Sequence, residues 1–356
     1  MEQKSVLIGM SGGVDSSVAA ALLKEQGYHV IGATMRLWTY SDSCNMKHEG
    51  CCAESAVEDA RRVCDKLGID FYVMNFKDMF KDKVVDYFVD EYIHGRTPNP
   101  CIACNKYLKF DALLKKALAM GIDYVATGHY AKIEKGEDGK YILRASEAVK
   151  KDQSYVLYNF TQEQLAHTLM PLGGYNKDWV RQKAEELGLG VAHKPDSQEI
   201  CFVEDDDYAK FITDYSGYKP KEGDILDVNG NVIGKHRGLI YYTIGQRKGI
   251  GAYGRPMFVM KIDAENNTIT LGEKGMEFSN ELTAYDVNFV SGEFPKENML
   301  ITAKVRYQAP PAEAMLCPQK DGTVKLMFPE PQRAVTPGQA VVFYDGDIVL
   351  GGGTVL

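Results

Sequence analysis

A loop of small and hydroxylated residues near the start of the sequence has the composition of an anion-binding site. It spans residues 11–17 (Ser-Gly-Gly-Val-Asp-Ser-Ser), between an apolar run typical of a buried strand and a helical pattern that stops at Gly27. Glycines let backbone N–H groups point into such a loop, the helix N-terminus adds partial positive charge, and the serine hydroxyls can donate hydrogen bonds. Asp15 is badly placed to touch a phosphate directly, but well placed to hold a magnesium ion that does.

This loop differs from the two commonest phosphate-binding motifs. The Walker loop requires a lysine after its glycines, and the dinucleotide fingerprint requires Gly-x-Gly-x-x-Gly; neither pattern occurs here. The Ser-Gly-Gly-x-Asp-Ser pattern instead resembles the pyrophosphate loop of ATP pyrophosphatases, which cleave ATP to AMP and pyrophosphate. The alternative is an ordinary strand-to-helix turn rich in small residues, and the presence of all six positions behind a strand argues against it.

Three cysteines lie in polar stretches. Cys101 and Cys104 form a Cys-x-x-Cys motif within residues 96–105, which we expect to be a loop because two prolines lie so close together, and Cys201 lies within residues 193–202. Packing alone rarely places cysteines in such loops, and nothing completes a four-ligand zinc site. We favour nucleophilic sulfur, a thiolate that can carry a persulfide and pair with another cysteine. A variant is an iron–sulfur cluster held by all three thiolates.

Two further groups carry weaker signals. One segment contains Cys44, His48, Cys51 and Cys52. Their spacing matches no standard metal site, so we favour a mobile loop over soft-metal binding. His129 follows Gly128 at a predicted strand end, where it would either touch substrate or be a buried core histidine.

Composition limits the class of protein. A chain of 356 residues is too long for one ordinary core, so two or three domains are expected. No segment approaches a membrane-spanning length and no signal peptide is recognisable, so we expect a cytoplasmic protein with reduced thiols and no membrane partner. The net charge of −8 argues against indiscriminate nucleic-acid binding but leaves room for a local basic groove.

Strand and helix patterns alternate through the first half of the sequence. After the first strand and helix, strands are predicted at residues 29–35, 70–74 and 124–127, with helices at about 53–67, 77–93 and 107–120. This alternation predicts an α/β fold with a doubly wound parallel sheet that binds ligands at the carboxyl ends of its strands.

The second half has a different pattern. A hairpin at residues 132–143 and helices at about 161–169 and 177–187 precede many short strands separated by turn signals. We therefore expect three domains: an α/β catalytic domain (1–205), a small β-rich middle domain (206–281) and a C-terminal β-barrel (282–356).

Taken together, these motifs resemble those of one family, the tRNA-specific 2-thiouridylases. The segments that carry the resemblance are Gly9-Met10-Ser11-Gly12-Gly13-Val14-Asp15-Ser16-Ser17, Gly95-Arg96-Thr97-Pro98-Asn99-Pro100, Cys104-Asn105-Lys106, Ala126-Thr127-Gly128-His129-Tyr130, Lys151-Asp152-Gln153-Ser154-Tyr155, Lys194-Pro195-Asp196-Ser197-Gln198-Glu199-Ile200-Cys201-Phe202, Tyr242-Thr243-Ile244-Gly245-Gln246-Arg247, Val305-Arg306-Tyr307 and Pro337-Gly338-Gln339-Ala340-Val341. The resemblance covers essentially the whole sequence and is more specific than the nucleotide loop alone.

The resemblance implies a reaction and a set of site residues. Members of this family transfer AMP from ATP to the C2 oxygen of the wobble uridine of certain tRNAs, and a cysteine persulfide then delivers sulfur to C2. By position, Cys104 would be the nucleophile and Cys201 the persulfide carrier, with a transient disulfide between them. The residues implied for ATP are Gly9, Met10, Ser11, Gly12, Gly13, Val14, Asp15, Ser16, Met35 and Gly128. Those implied for the target base, which must leave its stack, are Asn99, Pro100 and Cys101, and those for tRNA are His129, Lys151, Asp152, Gln153, Arg306, Tyr307 and Gln339.

One position departs from the family pattern. Well-described members have an aspartate, thought to act as acid or base, where this chain has Cys101. That role is therefore in doubt here, although Cys101 could still take part in catalysis as a weak proton donor. A third cysteine also keeps the iron–sulfur alternative open at Cys101, Cys104 and Cys201, although we favour the persulfide route.

The resemblance also implies partners and leaves two other classes to exclude. Expected partners are ATP with Mg²⁺, tRNAs of the Lys, Glu and Gln type, and a sulfur donor such as a cysteine desulfurase or a relay protein; we expect a monomer.

A small-molecule ATP pyrophosphatase would not need Cys104 or Cys201. A non-catalytic tRNA-binding or sulfur-carrier protein would not need the intact nucleotide loop.

Overall fold

The N-terminal half forms a parallel sheet with helices on both faces, as the alternating pattern predicts. The computed structural model describes residues 3–38, 54–196, 200–203 and 206–356, so the segment with Cys44, His48, Cys51 and Cys52 lies outside the described residues. The strands are β1 (Ser5–Gly9), β2 (His29–Arg36), β3 (Asp70–Asn75), β4 (Tyr124–Ala126), β5 (Ala131–Lys135), β6 (Tyr141–Ala145) and β7 (Thr168–Leu169). The sheet has the order β3-β2-β1-β4-β7, and all neighbouring strands are parallel.

The helices of this half cover both faces of the sheet. They are α1 (Val14–Glu25), α2 (Glu54–Leu67), α3 (Lys77–Phe80), α4 (Tyr87–Ile93), α5 (Pro100–Ala103), α6 (Leu113–Ala119), α7 (Gln162–Ala166) and α8 (Lys177–Glu186). Two π-helical segments, Lys81–Asp86 and Cys104–Ala112, join α3 to α4 and α5 to α6. Val6 and Ile8 of β1 pack into the core that holds α1, α2 and α8, whereas Leu7 packs into the core on the other face. This alternation, with period two, defines the doubly wound architecture.

The stretch around the Cys-x-x-Cys motif differs from its prediction. We expected residues 96–105 to be a loop, but a helix begins at Pro100 and continues through Cys104. Proline is tolerated at the first helical position because its missing N–H would have no intrahelical partner there. Asn99 caps the helix, since its Oδ1 accepts from the backbone N–H of Cys101 at 3.1 Å. Both cysteines are therefore held on a capped helix.

A small middle sheet follows a helix that the sequence did not indicate. Its elements are α9 (Tyr208–Ser216), β8 (Gly223–Leu226), β9 (Val232–His236), β10 (Met257–Asp263) and β11 (Thr268–Glu273), and the sheet order is β10-β11-β8-β9. The aromatic and β-branched residues of α9 favour strands by propensity, which is why α9 was missed. Asp207 caps its start and Gly217, with φ of 68°, ends it.

The C-terminal strands close into a six-stranded antiparallel barrel. They are β12 (Phe278–Phe289), β13 (Met299–Lys304), β14 (Ala312–Pro318), β15 (Val324–Arg333), β16 (Ala340–Asp345) and β17 (Ile348–Val355), and β17 pairs back with β12. The predicted hairpin forms as β5 and β6, and β6 pairs with β17 through Arg144 and Ile348. The hairpin thus attaches the α/β domain to the barrel. Within the described ranges, no helix is both long and apolar enough to cross a membrane.

Candidate active site

The small-residue loop folds into an anion-binding turn at the start of α1. Gly12 has φ of 71°, and a Cβ there would lie 2.3 Å from the carbonyl oxygen of Ala56, so only glycine fits. The hydroxyls of Ser16 and Ser17 donate to the carbonyl oxygen of Gly13 at 3.2 and 2.8 Å. Among the described residues no side chain caps α1 at Gly13. Its first N–H groups therefore remain available to an anion.

The residues implied for ATP lie at one edge of the sheet. Gly9 ends β1, Met35 is near the end of β2, and Gly128 follows β4. A Cβ on Gly128 would lie 2.6 Å from the backbone nitrogen of Ser16, so this glycine packs directly against the loop. The edge is the carboxyl end of the strands, where ligands bind in doubly wound folds.

Lys177 is a component of this site that the sequence analysis missed. Its Nζ lies 2.7 and 2.8 Å from the two carboxylate oxygens of Asp15 and 2.7 Å from Oδ1 of Asp196. Tyr130 also donates to Asp15, at 2.7 Å. Burial alone would raise the pKa of Asp196, but hydrogen bonds from Lys151 and Lys177 outweigh it and hold that pKa at about 2. One ammonium group thus bridges the carboxylates of Asp15 and Asp196.

A second lysine reaches the loop from the opposite side. Lys194 places its Nζ 3.2 Å from the carbonyl oxygen of Gly12 and 2.9 Å from Asp59. Together with Lys177 it supplies two cations beside a turn built for anions, which suits a polyphosphate. Lys194 begins one of the segments that carry the family resemblance, whereas no motif marks Lys177; each lysine is more than 160 positions from the loop it contacts.

The described residues do not fit a resident metal ion. Both oxygens of Asp15 are engaged by Lys177 and Tyr130. Across the ranges that the structure covers, no three His, Cys, Asp or Glu side chains are grouped to hold a metal, and Cys101, Cys104 and Cys201 form no such group. We therefore derive no chemical step from Mg²⁺ at Asp15 or from an iron–sulfur cluster at the three cysteines.

The two cysteines of the Cys-x-x-Cys motif differ in exposure. Cys101, in the first helical turn, is exposed, whereas Cys104, one turn later, is 8% exposed and belongs to the large core under the sheet. The neighbouring Asn105 is buried and donates from Nδ2 to the carbonyl oxygen of Val156 at 3.0 Å. The helix thus presents one accessible thiol and one sheltered thiol.

Cys201 packs against the same core as Cys104. It precedes Phe202, whose ring is buried within 5.2 Å of the rings of Phe88 and Phe211, measured between centroids. Residues 197–199 and 204–205 on either side lie outside the described residues. The aromatic anchor fixes the chain beside Cys201, which is itself partly exposed.

His129 is buried rather than open to solvent. Its Nδ1 lies 2.7 Å from the hydroxyl oxygen of Thr127, and its ring packs against Phe110. Burial, aided by the nearby charge of Lys109, lowers the pKa of His129 well below its usual range. The imidazole is therefore neutral and offers no cation to a phosphate.

Most residues implied for tRNA cluster near Cys101 and already have protein partners. Lys151 pairs with Asp196, Asp152 accepts from the backbone N–H groups of Ser146 and Ser154, and Gln153 accepts from the N–H of Tyr130. Tyr307, beside the partly exposed Arg306, donates to the carbonyl oxygen of Asp152 at 3.1 Å. Burial raises the pKa of Tyr307, as does the charge of Asp152, and Cys101 is also within electrostatic range of this phenol. The remaining residue, Gln339, reaches Thr97 in the turn before Asn99.

Comparisons with known proteins match the full chain. Residues 4–205 match the family described as "tRNA methyl transferase HUP domain", residues 209–273 its PRC-barrel domain, and residues 279–355 the "Aminomethyltransferase beta-barrel domain". The chain is 59% identical, over all of both chains, to "tRNA-specific 2-thiouridylase MnmA" of Acetivibrio thermocellus. It is 58% identical to the protein of the same name from Clostridioides difficile, covering 99% of this chain and 98% of that one. A solved 4-thiouridine synthetase–RNA complex with bound ATP is 17% identical, with a TM-score of 0.38, and covers 59% of this chain and 50% of that one.

Proposed function

The chain belongs to the tRNA-specific 2-thiouridylase family, and we propose that it replaces the C2 oxygen of the wobble uridine of tRNA with sulfur. Membership makes it a tRNA sulfurtransferase, and the full-length identity with these relatives supports the uridine substrate. The observation that carries the mechanism is the link that residues 151–156 make between the nucleotide loop and the cysteine-bearing helix. Lys151 pairs with Asp196, which shares Lys177 with Asp15 of the loop, and the carbonyl oxygen of Val156 accepts from Asn105, next to Cys104. ATP is the proposed activating substrate and a cysteine persulfide the proposed sulfur source.

The first proposed step is adenylation of the uridine. The N-terminus of α1 and the ammonium groups of Lys177 and Lys194 bind the phosphates. The C2 oxygen attacks the α-phosphorus, the bond to the bridging oxygen of the β-phosphate breaks, and pyrophosphate leaves. The turn can bind several phosphate oxygens at once, so it can stabilise the departing pyrophosphate and not only a terminal phosphate.

The second proposed step is sulfur transfer. A persulfide on Cys201 carries the sulfur, and the thiolate of Cys104 attacks the Sγ of Cys201. This attack breaks the persulfide bond, forms a Cys104–Cys201 disulfide and releases hydrosulfide, which adds to C2 and expels AMP. An external thiol then reduces the disulfide. The pairing rests on the family resemblance; Cys104 lies in the large core and Cys201 packs against that core.

Cys101 takes a different part in the proposal. It is exposed at the first turn of the helix, beside Tyr307 and next to Asn99 and Pro100, where the target base would enter after leaving its stack. A thiol there is a weaker acid than the carboxylic acid of well-described members, so we assign Cys101 to shaping the base pocket.

The tRNA is proposed to extend over all three parts of the chain. It would run from the α/β domain (1–205) along the middle domain (206–281) to the barrel (282–356), with the chain acting as a monomer. Lys151, Arg306 and Tyr307 would contact it near the entrance to the site. A cysteine desulfurase or relay protein would load Cys201 from its partly exposed side.

One assay tests this function. Unmodified tRNA, ATP, Mg²⁺ and a persulfide donor (a cysteine desulfurase with free cysteine) are incubated with the wild-type chain, with Cys104→Ala and with Cys317→Ala, a barrel cysteine that serves as the control. We expect AMP, pyrophosphate and thiolated tRNA, seen as retarded migration in a mercury-containing gel, from the wild type and Cys317→Ala. Cys104→Ala should release at most one pyrophosphate per tRNA and form neither AMP nor thiolated tRNA. AMP formation without thiolated tRNA would instead favour a small-molecule ATP pyrophosphatase.

A further inference from the structure

A cavity of about 300 Å³ lies behind the helix that carries the active-site cysteines. The helix contributes Asn99, Ile102, Ala103, Lys106 and Tyr107 to its lining. Residues spaced by three and four positions share one face of a helix, so these five form a single face. Cys101 and Cys104 do not line the cavity and fall on the opposite side of the helix. The cavity therefore lies on another face of the helix from the two thiols, and Asn99 is the one residue assigned to the target base that also lines it.

Four tyrosines form its aromatic walls: Tyr87, Tyr107, Tyr158 and Tyr285. They come from both the α/β domain and barrel strand β12. Burial raises the pKa of Tyr87 above its usual range, and Glu91 and the other three phenols raise it further, so the four rings lie near one another. Burial likewise raises the pKa of Tyr158 to about 12. The four side chains offer π-faces and hydroxyl groups to an occupant.

Asn159 adds an unused hydrogen-bond acceptor. It lines the cavity, and its Oδ1 is buried and has no hydrogen-bond partner among the described residues. A buried acceptor without a partner is costly and is uncommon in folded proteins. An occupant with an N–H or O–H group at this point would satisfy it.

The charges at the cavity are paired within the protein. Lys83 lies 2.9 Å from Asp82, and Lys106 lies 2.6 Å from Asp286. Asp286 has φ of 48°, a strained conformation for a residue other than glycine, and such strain often accompanies functional sites. Because the charges balance, the cavity suits a neutral planar group better than a polyphosphate.

We propose that this cavity binds an unpaired nucleobase of the RNA substrate other than the target uracil. Stacking on tyrosine rings suits any base, and the Oδ1 of Asn159 selects bases with an N–H donor. The volume is at the lower limit of ordinary small-molecule pockets, roughly 300–1,000 Å³, and admits one base. The proposal rests on tRNA being the substrate. The RNA would then hold the cysteine-bearing helix from both faces, which makes the second base a determinant of substrate choice.

Photo-crosslinking tests the occupant directly. Transcripts of the tRNA carry one photoreactive 5-iodopyrimidine at a time in the anticodon loop, and crosslinked peptides are identified by mass spectrometry. We expect one position other than the target to crosslink to Tyr107 or Tyr285. Crosslinks that form elsewhere on the chain but never at the cavity would overturn this inference while leaving the proposed function intact. A complete absence of RNA crosslinks would contradict both.

Substitutions and free nucleosides complete the test. We expect Tyr285→Leu to raise the KM for tRNA by about tenfold or more, in line with the loss of one base–aromatic stack. Asn159→Leu should raise it by about fivefold, in line with the loss of one hydrogen bond. The matched control is Tyr72→Leu, an exposed tyrosine on β3 that should leave KM unchanged. Thermal unfolding verifies that each variant is folded, and an unchanged KM in a folded Tyr285→Leu protein would refute the inference. Saturation-transfer NMR with the four nucleosides identifies a free nucleoside as the occupant if the RNA crosslinks avoid the cavity.

Discussion

The Nε2 of Gln339 donates a hydrogen bond to the carbonyl oxygen of Thr97 at 2.8 Å, across 242 positions of the sequence. The same threonine donates its own N–H to the carbonyl oxygen of Pro337 at 2.9 Å. Two hydrogen bonds therefore hold the backbone at Thr97 against the C-terminal domain, just before Asn99, the residue that caps the cysteine-bearing helix. Gln339 connects the C-terminal domain to the geometry of Cys101 and Cys104.

This contact predicts a defect in Gln339→Ala. Removing the donor leaves the Thr97 carbonyl with one partner fewer and costs about 0.5–1.5 kcal/mol of stability. We expect kcat for thiolation to fall several-fold while the KM for ATP stays within error, because the nucleotide loop is untouched. Steady-state kinetics measure both. Gln319→Ala, an exposed glutamine of the barrel, should have wild-type kinetics; a rise in the KM for tRNA alone would show that Gln339 acts on RNA and not on the helix.

Lys177→Met should nearly abolish ATP turnover. The substitution leaves Asp15 and Asp196 facing each other without the bridging ammonium and removes a cation from the anion-binding turn. We expect AMP formation to fall by about 100-fold, consistent with losing one preorganised electrostatic contact. Lys183→Met, on the same helix but paired only at the surface with Glu25, is the matched control. Equal activities for the two variants would remove Lys177 from the mechanism.

Asp196 should give the chain a distinctive acid sensitivity. Its pKa is about 2 in the folded chain against the ordinary value of 3.8, so the stabilisation is fully present above about pH 4 and is lost as the pH falls through 2. Partial exposure weakens the effect, and we expect it to be roughly 1–2 kcal/mol. Denaturant unfolding of Asp196→Asn and wild type from pH 7 to pH 2 measures it. The difference in free energy of unfolding between wild type and Asp196→Asn should narrow only below pH 4. Asp214→Asn alters an exposed carboxylate and should show no such difference from wild type.

His129 should remain neutral through the physiological range. Its pKa is lowered well below 6.5 by burial, so the folded state binds no proton there as the pH falls past 6.5. Below that pH the unfolded state takes up a proton that the folded state does not, so this group destabilises the fold as the pH falls. NMR of the imidazole C2–H resonance should show no titration between pH 8 and pH 6. A midpoint near 6.5 would mean that the ring is solvated and free to contact RNA as a cation.

The parts of the structure that local patterns determine were predictable. The β1-loop-α1 unit, the hairpin of β5 and β6, and helix α8 all follow from periodicity and turn residues within one short segment. The two prolines around Asn99 misled the prediction because a proline at the first helical position stabilises a helix start instead of breaking it. The domains drawn at 205 and 281 remain predictions.

Long-range pairings could not be predicted. Lys177 and Lys194 reach the nucleotide loop only because α8 and the chain after it pack beside α1. Residue spacing in the sequence does not predict this packing. The closure of β12 on β17 and the contact between Gln339 and Thr97 likewise depend on tertiary packing. For the same reason, Cys104 and Cys201 could be paired from the sequence only through a family resemblance, whereas the structure places both against one core.

A single-turnover transfer experiment tests the central claim most directly. Cys201 is loaded with radiolabelled persulfide sulfur, unbound label is removed, and ATP with unmodified tRNA is added to the wild type and to Cys104→Ser. The account predicts that the wild type moves its label to tRNA with one AMP formed per sulfur. Cys104→Ser should release pyrophosphate but form no AMP, and it should keep the label on the protein. Equal transfer of label to tRNA by both proteins would contradict the proposed role of Cys104.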